Sequence, residues 1–196
     1  MSTGLLTLIV AVAVALVGVA IYNRLISLRN RNLNAFSQIE VQLQRRYELI
    51  PNLVETAKAY MTHEAETLSA VTKARNDASS KCEAAAKRPE DPSLIGALAS
   101  AEGALSSAMG RLNVVMEAYP DLKADAQMRA LGEELASTEN RVAFARQAYS
   151  DAVMFYNTAR EQFPAVIVAS LCSFKEADLF EVDDPVMKES VKVAFA

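Results

Sequence analysis

The chain has one histidine and two cysteines, and these are the residues whose chemistry has to be settled first. His63 stands in the run His63-Glu64-Ala65-Glu66. A histidine beside carboxylates can ligate a metal weakly, but no second histidine follows four residues later. Solvated surface on the polar side of a helix is therefore the expectation for His63. Cys82 and Cys172 form no CxxC pair, and one histidine cannot complete a zinc site with them. Both are read as free thiols, Cys82 at a polar helix end and Cys172 in an apolar stretch, with a disulfide between them as the alternative for a domain outside the cytoplasm. Glu133, Glu134, Glu139 and Asn140 crowd one region, and paired carboxylates on bundle helices can hold two irons. That chemistry needs a Glu-x-x-His on each of two helices, which a single histidine forbids. The expected partners of these acids are Arg141, Arg146 and Arg160. No phosphate-binding glycine loop and no nucleophile elbow occurs. No catalytic, cofactor-binding or metal-binding residue is assigned, no cofactor is expected, and the protein is read as non-enzymatic.

The elements that carry these residues are helices. Trp is absent, only 6 residues are Gly, and aromatics make up 7%, a composition suited to long helices. The net charge of -4 argues against nucleic acid as a partner. Charge is uneven: residues 24–88 hold eleven Lys/Arg against seven Asp/Glu, and residues 89–196 hold nine against seventeen. A basic stretch beside a membrane suits anionic lipid, although ordinary solvated helix faces explain it as well.

Residues 4–22 contain no charge and extend roughly 28 Å as a helix, about the thickness of a bilayer core. No Lys or Arg precedes this run, so it lacks the charged start of a signal peptide and reads as an anchor. Arg24, Arg29 and Arg31 follow it, which places the N-terminus outside and the rest in the cytoplasm, with a periplasmic domain as the alternative.

Four amphipathic segments follow. Residues 24–50 place Phe36, Ile39, Leu43, Tyr47 and Ile50 on one face. Residues 51–87 offer Leu53, Val54, Ala57, Met61, Leu68 and Val71. Residues 93–119 give Leu94, Leu98, Ala101, Leu105, Ala108, Leu112, Val115 and Tyr119. Residues 121–163 are clearest, with Leu131, Leu135, Thr138, Val142, Ala145, Tyr149, Ala152, Tyr156, Ala159 and Phe163 in unbroken steps of four and three. That is a coiled-coil-like seam. Its tyrosines are expected in the core, each hydroxyl reaching a partner.

The pattern Glu-x-x-Pro recurs at Pro51, Pro120 and Pro164. Proline disfavours a helical conformation in the residue before it and suits the first turn of a new helix. Ile50, Tyr119 and Phe163 are therefore predicted to close helices and to tuck into the bundle ends. The fold class is all-α: an N-terminal transmembrane helix, then an antiparallel up-down-up-down bundle of four helices. It reduces to three if Pro51 only kinks one long helix. The predicted division is residues 1–23 as anchor, 24–163 as bundle, and 164–196 as an apolar segment with an extended tail. The apolar run after Pro164 is too short to span a bilayer. Residues 191–195 alternate apolar and polar, which permits a short strand.

Several runs resemble the LemA family: residues 42–54 (QLQRRYELIPNLV), 61–64 (MTHE), 70–75 (AVTKAR), 119–123 (YPDLK), 137–141 (STENR) and 156–164 (YNTAREQFP). The resemblance covers about residues 34–195. It implies a single-span bacterial membrane protein with an antiparallel helical bundle, and no settled activity. The expected function is a membrane-anchored bundle that self-associates and scaffolds or shapes the bilayer. Expected partners are lipid and further copies of the chain. The alternative is an adaptor or signalling protein that docks another envelope protein.

Overall fold

The computed structural model describes residues 3–181. Its first helix, α1 (Thr3–Lys58), has 56 residues, roughly 84 Å at 1.5 Å per residue. The apolar start of α1 is 0% buried and stands clear of the rest. Leu25 is the first residue of α1 to be buried, and from there Phe36, Ile39, Leu43, Tyr47 and Ile50 turn inward. Anchor and bundle thus share one uninterrupted helix.

Pro51 does not make a corner. The helix runs through it, and Leu53, Val54 and Ala57 continue the buried stripe of α1 for two further turns. The reason lies in a hydrogen bond from another element. A proline inside a helix leaves the carbonyl four residues earlier without its amide donor. Here that carbonyl belongs to Tyr47, and the Arg75 Nε donates to it at 2.8 Å. The packed residues on both sides of Pro51 and this side-chain donor together hold the helix past the proline.

The true corner comes after Lys58. The Tyr60 and Met61 amides both donate to the Ala57 carbonyl, at 3.0 and 2.9 Å, and Met61 is buried as a plug. Helix α2 (Ala65–Lys87) then descends, burying Leu68, Val71, Ala78, Cys82 and Ala85. Helix α3 (Pro92–Met116) rises, opened by Asp91, whose carboxylate accepts the Ser93 amide at 3.1 Å with Pro92 in the first turn.

The predicted corner at Pro120 is present in a more elaborate form. Tyr119 caps α4 (Pro120–Ala124), a single turn, and Asp125 caps α5 (Ala126–Glu161) by accepting the Met128 amide at 2.8 Å. Helix α5 descends along α1. Leu131, Leu135, Thr138, Val142, Tyr149, Tyr156 and Ala159 are buried as the seam requires. Phe163, the last member of that seam, is 81% exposed, because α5 stops at Glu161 and the chain turns away. A short helix, α6 (Ala165–Leu171), follows, and then an extended strand of chain runs back up the bundle.

Four long helices therefore alternate up, down, up and down. The turns after α1 and α3 meet at the end far from the span, where Tyr60 Oη donates to Asp125 and Tyr119 Oη to Glu64. The α2–α3 loop returns to the span end, where Arg29 forks onto Glu90. The alternating pattern at residues 191–195 lies outside the described residues.

Candidate functional site

Two polar constellations break the apolar bundle. The first is inside it. Arg46 of α1 bonds Glu102 of α3 through Nη1 at 2.9 Å and Glu139 of α5 through Nη2 at 3.1 Å. Tyr47 Oη donates to the other Glu102 oxygen. Glu102 is 3% exposed, and both its oxygens have donors. One ion triad thus links three helices. Burial, with Glu102 close by, pushes the Tyr47 phenol far above its ordinary value, so it stays a donor. Burial also pushes the neighbouring Cys82 thiol up to about 12. A thiol held protonated is a poor nucleophile, so this cluster supports register rather than chemistry.

Sequence reading passed over Arg46 and Glu102, although a signal existed. Glu102 lies four after Leu98 and three before Leu105, and Arg46 lies seven after Ile39. Both stand at core positions of their own stripes, where a charge needs a buried partner.

The second constellation lies at the span end. A cleft of about 350 Å³ is bounded by Arg29 and Asn32 of α1, Glu90, Tyr156 of α5, and Phe174 and Lys175 of the returning chain. The hydrogen bonds from Arg29 hold the Glu90 carboxyl below its ordinary range, and Arg29 is itself held more firmly protonated. Asn32 is buried, and its Oδ1 has no hydrogen-bond partner among the described residues. The cleft brings two cations (Arg29 and Lys175), two carboxylates (Glu90 and Glu176) and the Asn32 carbonyl oxygen together about two turns above Tyr22. That surrounding suits a small polar or zwitterionic group.

The extended chain forming the cleft wall is fixed by the seam tyrosines. Tyr156 Oη donates to the Lys175 carbonyl at 2.7 Å and Tyr149 Oη to the Asp178 carbonyl at 2.9 Å. Asn157 holds Ala177 twice, donating to its carbonyl at 2.8 Å and accepting its amide at 3.0 Å. Phe180 is buried, with the Arg146 guanidinium 5.4 Å over its ring.

Other residues considered from the sequence fall elsewhere. His63 is exposed, in the turn between α1 and α2 rather than on a helix face. Cys82 is buried in the core, not at a polar helix end, because α2 turns that position inward; Cys172 is exposed, and both are free thiols. Glu134 pairs with Arg45 and Glu139 with Arg46, both from α1, instead of with the arginines of α5. Arg160 reaches Glu161 and Glu176. Among the described residues no group of three His, Cys, Asp or Glu side chains is placed to hold a metal ion.

Residues 35–195 match the LemA family, a stretch that takes in the bundle, α6 and the returning chain. The chain belongs to the LemA family. It is 27% identical over 175 residues to the magnetosome proteins MamQ 1 and MamQ 2 of Paramagnetospirillum magneticum (strain AMB-1), covering 82% of this chain and 64% of theirs. It is 26% identical over 159 residues to the magnetosome protein MamQ of Magnetospirillum gryphiswaldense, covering 74% of this chain and 58% of that one. The chain thus spans less than two thirds of the length of these curated relatives. Family and apolar helix together describe a membrane-associated, all-helical protein of a bacterial family.

Proposed function

We propose that this LemA-family chain self-associates at a bacterial inner membrane and scaffolds or shapes that membrane, without a catalytic step. Residues 1–23 act as the anchor, 24–163 as the assembling bundle, and 164–196 as an apolar segment followed by a tail. The observation that carries the reading is on the outer face of α5. Phe144 is 77% exposed and Phe155 is 61% exposed, eleven residues apart and so on one side of the helix. Met154 beside them is exposed as well. Large apolar side chains kept outward on one face of a bundle helix support a contact surface there.

The magnetosome proteins among its relatives support a role at a bacterial membrane. Arg24, Arg29 and Arg31 support a cytoplasmic bundle with the N-terminus outside. The test is extraction of the full chain with its native lipid, followed by mass measurement. A large homomer that shrinks on Phe144→Glu with Phe155→Glu is the expected result. A single 21.3 kDa chain at all concentrations refutes self-association. A small species holding one other envelope protein would favour the adaptor reading.

A further inference from the structure

We propose that Phe163 and helix α6 form a second membrane contact, a foot that lies in the bilayer interface beside the span and does not cross it. It rests on different residues from those of the self-association surface. Residues 162–173 carry no charge. Within them Phe163 is 81% exposed and Leu171 80%, and Val166 and Ile167 are exposed too, which is costly for a face turned to water.

The place of this segment identifies its occupant. Ala169 is buried against Leu25 of α1 and Ala159 of α5, with Ile21, Leu28 and Phe174 packed around them. Phe163 and Ala165 share a groove with Val17 and Ile21, which belong to the apolar span itself. Val17 lies about 8 Å below Tyr22, five residues at 1.5 Å each, so the start of α6 sits at acyl-chain depth. The outward apolar face of the foot therefore continues the lipid-facing surface of a span that is 0% buried.

The rim fits the same placement. The Tyr22 and Phe174 rings meet edge to face with centroids 5.6 Å apart, aromatic groups at the level expected for the interface. Arg24 is exposed and lies in the same groove, where its long side chain can reach outward to headgroups. At 7 residues α6 is roughly 10 Å long, too short to cross and suited to lying along the boundary. Together, span and foot fix both the depth and the tilt of the bundle, which a single tether does not.

The chain has no tryptophan, so one introduced indole reports without background. Phe163→Trp, Leu171→Trp and, as a reference, Phe144→Trp are each placed in the full chain and reconstituted in phosphatidylcholine vesicles. The vesicles carry bromine either high or low on the acyl chains. The expected result is at least twofold quenching of the Phe163→Trp and Leu171→Trp emission, stronger with shallow than with deep bromine, and no quenching of Phe144→Trp. Emission at both foot positions that matches the reference, with no response to bromine, overturns the proposal. Emission that ignores bromine but shifts when protein is diluted in lipid also overturns it, and assigns the face to a second copy. A wild-type chain that stays single at all concentrations refutes self-association and leaves the foot reading intact, so the two proposals fail separately.

Discussion

Arg75 substitutes for the amide that Pro51 lacks, and a double-mutant cycle measures this directly. The Tyr47 carbonyl sits in a residue that is 0% exposed and has lost its ordinary helical donor. A buried acceptor left without a partner costs ~1–3 kcal/mol, and a charged donor restores about 1.5–3 kcal/mol. Arg75→Ala should therefore destabilise the bundle by about 2 kcal/mol. With a urea slope of about 2 kcal/mol/M, the midpoint falls by about 1 M. Pro51→Ala brings back an amide four residues after Tyr47 and removes a residue that costs ~3 kcal/mol in a helix interior. It should stabilise, and it should also make Arg75 largely redundant. In the Pro51→Ala background, Arg75→Ala should cost about 0.5 kcal/mol, a coupling of about 1.5 kcal/mol between sites on different helices. The bond from Arg75 Nη1 to Asn76 is unaffected by Pro51 and cancels in the cycle. The assay is urea unfolding of the full chain in mild detergent, followed by far-ultraviolet dichroism. Equal costs of Arg75→Ala in both backgrounds, within about 0.3–0.5 kcal/mol, would refute the reasoning, as would destabilisation by Pro51→Ala.

Glu102→Ala leaves Arg46 with only the half-exposed Glu139 and should cost ~3–5 kcal/mol in the same unfolding assay; a loss under 1 kcal/mol would show that the triad is not a buried pair in solution. The Glu90 carboxyl is held below its ordinary value of 4.5, so its contribution is complete above that pH and is lost as pH falls through the lower folded value. Stability curves of the wild type and Glu90→Gln should therefore differ above about pH 4.5 and converge in acid, and parallel curves would contradict the Arg29 fork. Maleimide should modify Cys172 in the folded protein and Cys82 only after denaturation, without reductant; equal rates for both thiols would contradict the buried position of Cys82. Tyr156→Phe with Asn157→Ala removes three bonds to the returning chain and should open it to protease cleavage between α6 and Phe180, while unchanged cleavage would mean that other contacts hold it.

The contrast between Pro51 and Pro120 explains what could be read from the sequence. Every stripe position named for the first two segments is buried, all on α1 or α2 except Met61 in the turn between them, because a helix's inward face depends only on spacing within that helix. Pro120 stands in the first turn of α4, and five residues on Asp125 caps α5 by accepting the Met128 amide, so that corner is held by local chemistry. Pro51 carries the same local signal, yet the helix continues, because the group that compensates for it is on α2. Local chemistry is legible, and compensation from a distant element is not. The same distinction separates the two halves of the candidate sites. Arg46 and Glu102 could have been flagged from their own helices, since each occupies a core position, but their pairing needs the bundle to bring α1 and α3 together. Phe163 shows the opposite error. Its spacing continues the α5 seam perfectly well, and only the end of the helix at Glu161 turns the ring outward. A stripe that outlasts its helix has lost its partner face, so an apolar residue there must find another. At this end of the bundle, next to a bare span, the nearest apolar surroundings are lipid, and the same argument extends from Phe163 to Ile167 and Leu171.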